Sequence, residues 1–143
     1  MISYFTLKEL CDSATARVRK IDNFPTFEIV AHLYELTEKL LDPLRTAWGS
    51  PIRVTSGYRC YKLNSAVGGV YNSVHQDGYA ADLQPTNGKI EEFIKFAKTW
   101  VRIYGVNYDQ LIRETDGKSV WLHVGLYSPN GTQRKQILDI VKK

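Results

Sequence analysis

Apolar residues recur at helical spacing in two stretches of the chain. Ile29, Leu33, Leu36, Leu40 and Leu44 make one face, preceded by Thr26, which can cap a helix. Ile90, Phe93, Ile94, Ala97 and Val101 make another, preceded by Asn87. Asp42-Pro43 interrupts the first stretch. Proline has no N–H to give to a helical turn, so the helix is expected to kink there, or to end and restart with Asp42 as cap and Pro43 at the first position. Gly49 closes the segment. Thr6 and Glu9 have the spacing of a capping box, which predicts a short helix. Residues 12–25 show no period and end in Phe24-Pro25, so they read as a loop.

Elsewhere the pattern is that of strands. Residues 52–55 are a short β-branched run, followed by the turn Ser56-Gly57-Tyr58-Arg59 and one or two helical turns over 61–67. Residues 79–83 read as a buried strand. Residues 108–114 and 119–127 read as two strands joined through Asp116-Gly117, a hairpin signal. Residues 134–141 add a last strand or helix. This order predicts an α+β fold with helices covering one face of a mainly antiparallel sheet. No repeat or linker divides the chain, and its 143 residues fit a single domain, 1–143.

Composition narrows the class without changing this picture. The chain is 43% hydrophobic and 24% charged, which excludes wholesale disorder. No window approaches the roughly 18 apolar residues of a membrane span. The start, MISYFTLKEL, lacks the basic residues and apolar run of a secretory signal, which predicts cytoplasmic synthesis. The net charge of +4 is scattered. Its densest group, Arg134, Lys135, Lys142 and Lys143, has no interleaved aromatic stripe, so it reads as a solvated face and no nucleic-acid partner is expected. Cys11 and Cys60 form no CxxC pair, which excludes a cysteine zinc cluster. They read as lone thiols, with a disulfide between them left open.

The chemistry concentrates in Ser73-Val-His75-Gln-Asp-Gly78-Tyr-Ala-Ala-Asp82. A histidine and an aspartate stand seven residues apart, with small residues between them that let backbone crowd around a site. Imidazole nitrogen and carboxylate oxygen both suit zinc. His32 lies far off on the long helix and reads as a structural histidine. His123 lies in a strand whose alternation puts Leu122, Val124 and Leu126 in the core and Trp121, His123 and Gly125 on the other face. Two histidines and one carboxylate leave a fourth coordination position open, which is the catalytic zinc pattern. Asp77 is assigned no role.

Ser56-Gly-Tyr-Arg59, Leu63-Asn64, Val67-Gly68-Gly69, Ser73-x-His75-x-x-Gly78-x-Ala80-x-Asp82 and Trp121-x-His123 occur in the order seen in the M15 zinc peptidases, which the chain resembles over roughly residues 4–128. The opening Phe5-Thr-Leu-Lys-Glu-Leu and the Asp109-Gln-Leu-Ile stretch look like the family's short, single-domain branch. The resemblance implies a D-Ala-D-Ala peptidase-like fold, shared with the hedgehog signalling domain. It implies one zinc ion held by His75, Asp82 and His123, with Arg59 and Ser73 as substrate residues. Trp121 is a further candidate to wall the cleft. The implied substrate is a peptidoglycan stem peptide, cut either as by D-alanyl-D-alanine carboxypeptidases or as by L-alanyl-D-glutamate endopeptidases. The protein is read as a monomer. The missing leader then suggests phage or prophage origin and action on the wall after release.

The general base departs from the pattern. Many members carry Asp or Glu three residues before the second histidine, where this chain has Val120. Glu114 on the preceding strand is the replacement, with Asp116 in reserve. A tight turn at Asp116-Gly117 would pair Glu114 with Ser119, about 13 Å along the strand from His123. A wider loop would set Glu114 opposite Trp121 and diagonal to His123, about 7–8 Å away at Cα. Hedgehog-like domains place a glutamate on the adjoining strand, which favours the wider loop. Without such a base, the domain would be a non-catalytic module binding a wall peptide or partner.

Overall fold

A computed structural model describes residues 3–142. The elements follow as α1 (Leu7–Cys11), α2 (Ala14–Arg19), α3 (Phe27–Leu36), α4 (Asp42–Trp48), β1 (Ile52–Ser56), α5 (Tyr61–Ala66), β2 (Ala80–Pro85), α6 (Ile90–Ile103), β3 (Gln110–Thr115), β4 (Val120–Gly125) and β5 (Gln136–Val141). A π-helical stretch, Thr37–Leu41, joins α3 to α4, and a 3₁₀ turn, Val74–Asp77, precedes β2.

The five strands form one sheet in the order β1-β2-β4-β3-β5. Three pairings are antiparallel, and β5 runs parallel to β3 at the edge. The expected α+β architecture is therefore present, with a mixed sheet. Alternation along the strands sends Ala81, Leu83, Leu111, Leu122 and Val124 to one face, where they pack with Leu33, Leu36, Leu40, Leu44, Phe93 and Ala97 of the helices. The opposite face carries the polar residues of the site.

Three local expectations change. Residues 12–25 are not all loop. Ser13 caps α2 by accepting from the Ala16 amide, and the helix stops at Lys20 in a left-handed conformation, φ 55°. Six residues are too few to show a period, so the cap was the only signal. At Asp42-Pro43 an α-helix does start, but Asp42 is its first residue rather than its cap, and Leu41 stands at the N-cap position with no side-chain cap bond. A π turn instead lets the Asp42 amide donate to the Thr37 carbonyl. It absorbs the proline, whose missing N–H would have broken an α-helical ladder. The Asp42 carboxylate is thus free to accept from the Tyr4 amide at 3.0 Å, tying down the N-terminal segment. Lys89 rather than Asn87 occupies the cap position of α6, although Asn87 Oδ1 accepts from the Lys89 amide. Cys11 and Cys60 are free thiols.

Candidate metal centre

The site is built where β2 and β4 pair. Asp82 on β2 lies opposite His123 on β4, so period-two alternation points both side chains off the same face. His75 reaches that face from the 3₁₀ turn. Ser73 caps this turn by accepting from the His75 amide at 3.2 Å. Gly78 ends it with φ 76°, a conformation glycine adopts without penalty, and so directs the chain into β2.

His75 Nε2 lies 3.3 Å from Asp82 Oδ1, and His123 Nδ1 lies 3.1 Å from the same oxygen. All three residues are buried, and the three ligand-type atoms lie within 4.8 Å of one another. His75 Nδ1 is 2.8 Å from the Gly57 carbonyl. A carbonyl only accepts, so Nδ1 carries the proton and Nε2 of the neutral ring keeps its lone pair. Burial pushes the His75 pKa down, which keeps the ring neutral despite the nearby Asp82. Burial also disfavours the Asp82 charge, but the two imidazoles outweigh it and hold the carboxyl below its ordinary range.

A lone pair thus faces a carboxylate oxygen, an arrangement that a cation between them relieves. Tetrahedral ligands about 2.0–2.1 Å from zinc stand roughly 3.3 Å apart, close to the spacings found here. The donor set and its spacing fit a divalent metal, and the Gly57 carbonyl is the outer partner that orients such a histidine. Gly57 earns its place by contact. A Cβ there would stand 2.1 Å from the Leu10 carbonyl oxygen.

The cluster opens into a cleft of about 650 Å³ whose lining includes Arg59, Ser73, His75, Ile112, Glu114 and His123. The β3–β4 hairpin has the wider loop: Glu114 pairs with Trp121, and Ile112 with His123. Glu114 therefore shares the site face, is only 5% exposed, and accepts from Trp121 Nε1 at 2.7 Å. Its other oxygen lies 3.5 Å from Nζ of Lys142, the residue after β5. Asp116 is instead a turn residue. Its carboxylate accepts from the Lys118 and Ser119 amides, and these bonds lower its pKa.

Arg59 donates to Ser56 Oγ and Ser73 Oγ, at 3.4 and 3.3 Å, while its buried Nε has no partner among the described residues. Burial lowers the Arg59 pKa, and the charges of Asp82 and Glu114 oppose that shift. Trp121 does not line the cleft; its indole N–H is committed to Glu114. Tyr58 is buried in the core, and Tyr79 stacks on His32 and donates to Glu35, so both are packing residues. His32 holds the Asp77 carbonyl and stands outside the cluster. A larger groove, about 890 Å³ between α4 and α6, is lined by Phe96, Trp100, Ile103 and Tyr104. Its lining carries the carboxylates Glu38 and Asp42 but no histidine and none of the cluster residues, so chemistry favours the smaller cleft.

Three contributions escaped the sequence: the Gly57 carbonyl, the Trp121–Glu114 bond, and Arg134 and Lys142 in the cleft wall. The first two depend on register and chain crossing. The basic tail was visible in sequence but read as a solvated face.

No helix of the described residues is long and apolar enough to cross a membrane. No curated protein matches the chain. A family model described as Peptidase M15 matches residues 3–116, well over half of the chain and including His75, Asp82 and Glu114. The chain belongs to the peptidase M15 family.

Proposed function

We propose that the protein is a single-domain zinc peptidase that hydrolyses peptide bonds in peptidoglycan stem peptides, with His75, Asp82 and His123 as the metal ligands. The observation that carries this reading is one cleft holding two imidazoles, a carboxylate at ligand spacing and a second, separate carboxylate, Glu114. When bound, zinc supplies a Lewis acid for a carbonyl and lowers the pKa of water toward about 7. Glu114 accepts the proton of the attacking water and passes it to the leaving amine. Trp121 holds that carboxylate in place. Arg59 donates to the oxygen that gains negative charge, and Ser73 orients both Arg59 and the turn bearing His75.

A non-catalytic module predicts a ligand cluster with no carboxylate nearby. Glu114 in the cleft supports the catalytic reading instead.

The test is metal content by mass spectrometry together with muropeptide digestion, with and without a chelator and after zinc is restored. One zinc per chain and chelator-sensitive, zinc-restored cleavage are expected. Cleavage that persists in chelator would end the zinc proposal. Glu114→Gln is expected to keep the metal and lose most turnover; near-normal turnover would remove Glu114 from its role. Mass spectrometry of the products identifies the bond.

A further inference from the structure

We propose that Arg134 is a substrate-binding residue that receives a carboxylate of the peptide in the cleft. Arg134 lines the same cleft as Arg59, His75, Glu114 and His123. It lies beside the start of β3, bonded to Asp109. Asp109 is three residues from Ile112, the partner of His123, so roughly 10 Å separates the two levels along the strand. Glu114 lies beyond Ile112 in the other direction. The metal cluster is therefore flanked by Glu114 on one side and Arg134 on the other, a separation that suits an extended peptide.

Arg134 is held as a built receptor rather than a solvated side chain. Asp109 is fully buried. Its Oδ1 accepts from the Arg134 amide and Nε, both at 2.9 Å, and its Oδ2 accepts from Nη2 at 2.6 Å. Nη1 makes no hydrogen bond among the described residues, and the side chain is 37% exposed. A guanidinium fixed on one edge and free on the other loses little entropy on meeting a carboxylate. Asp109 balances the Arg134 charge and Glu114 that of Lys142, at 3.5 Å, which leaves Arg59 lining the cleft beside the Asp82 carboxylate of the cluster. The free Nη1 edge of Arg134, rather than a net charge of the cleft, is what selects an anionic group.

This rests on the peptidase reading only in taking a peptide as ligand. The test is calorimetric titration of the full chain with zinc supplied and Glu114→Gln introduced to suppress turnover. The probes are L-alanyl-γ-D-glutamyl-L-lysyl-D-alanyl-D-alanine, the same peptide with the glutamyl α-carboxylate as an amide, and the same peptide with the C-terminal carboxylate as an amide. One amidation is expected to weaken binding at least 10-fold, and to have less than a 2-fold effect once Arg134→Gln is added. The sensitive probe identifies which carboxylate is read. Arg134→Gln strands the Asp109 charge, so the paired Asp109→Asn/Arg134→Gln variant, which removes both charges, is titrated as well and decides the matter if the single variant does not fold. Binding insensitive to either amidation, a penalty that persists without Arg134, or no binding of any probe overturns the proposal. Failure of the peptidase reading appears separately, as zinc-loaded wild-type protein leaving all three probes intact.

Discussion

Replacing Gly57 with alanine tests whether a backbone crossing behind His75 governs the metal site. The new Cβ would stand 2.1 Å from the Leu10 carbonyl oxygen, and contacts under 3.0 Å essentially do not occur. One segment must retreat by about 0.9 Å. The Leu10 oxygen is itself held by the Tyr58 amide at 2.7 Å, so the strain passes into the turn that follows β1. Overpacking of this kind costs about 1–3 kcal/mol. In a chain of this length that lowers Tm by roughly 3–12 °C. The Gly57 carbonyl also accepts from His75 Nδ1 at 2.8 Å. A shift of this size stretches that bond past the range in which it holds the ring. Loss of such an outer partner weakens metal binding by about 10- to 100-fold. The assay is zinc competition against a chromophoric chelator, alongside thermal melts of the metal-free protein. A Gly57→Ala variant with zinc affinity within 2-fold of wild type, whatever its Tm, would refute the link from Gly57 to His75.

Trp121→Phe removes the indole N–H that Glu114 accepts at 2.7 Å. A hydrogen bond to a charged group is worth about 1.5–3 kcal/mol, so turnover should fall by about 10- to 100-fold with zinc content unchanged. Normal kcat in this variant would mean that Glu114 needs no such support. In the metal-free protein, the His75 pKa is lowered by burial and that of Asp82 by its two imidazoles. Below about pH 6.5 for the histidine, and about pH 4 for the aspartate, the unfolded chain binds protons that the folded chain resists. Stability is therefore present above these values and lost as pH falls, and Tm measured in chelator should drop from pH 7 to pH 5. A flat profile would contradict the burial argument.

Much of this protein is legible in its sequence. Periodicity marks α3, α4 and α6 because each must bury one apolar face, and alternation marks Leu122 and Val124 as core and His123 as outward-facing. The seven-residue step from His75 to Asp82, with small residues between, marks a turn feeding a strand. What sequence leaves open is decided by pairing across the chain. Glu114 is either remote or in the cleft depending on hairpin register alone, and the loop of four residues between Thr115 and Val120 puts it in the cleft. The π turn at Asp42 gives no sequence signal beyond the proline. Arg134 and Lys142 look like a solvated basic tail until β5 aligns parallel to β3 and turns them toward the site. Local pattern determines which face a side chain takes, because period follows from backbone geometry. Which residues then meet on that face depends on register and on chain crossings such as Gly57 against Leu10, and those exist only in the folded molecule.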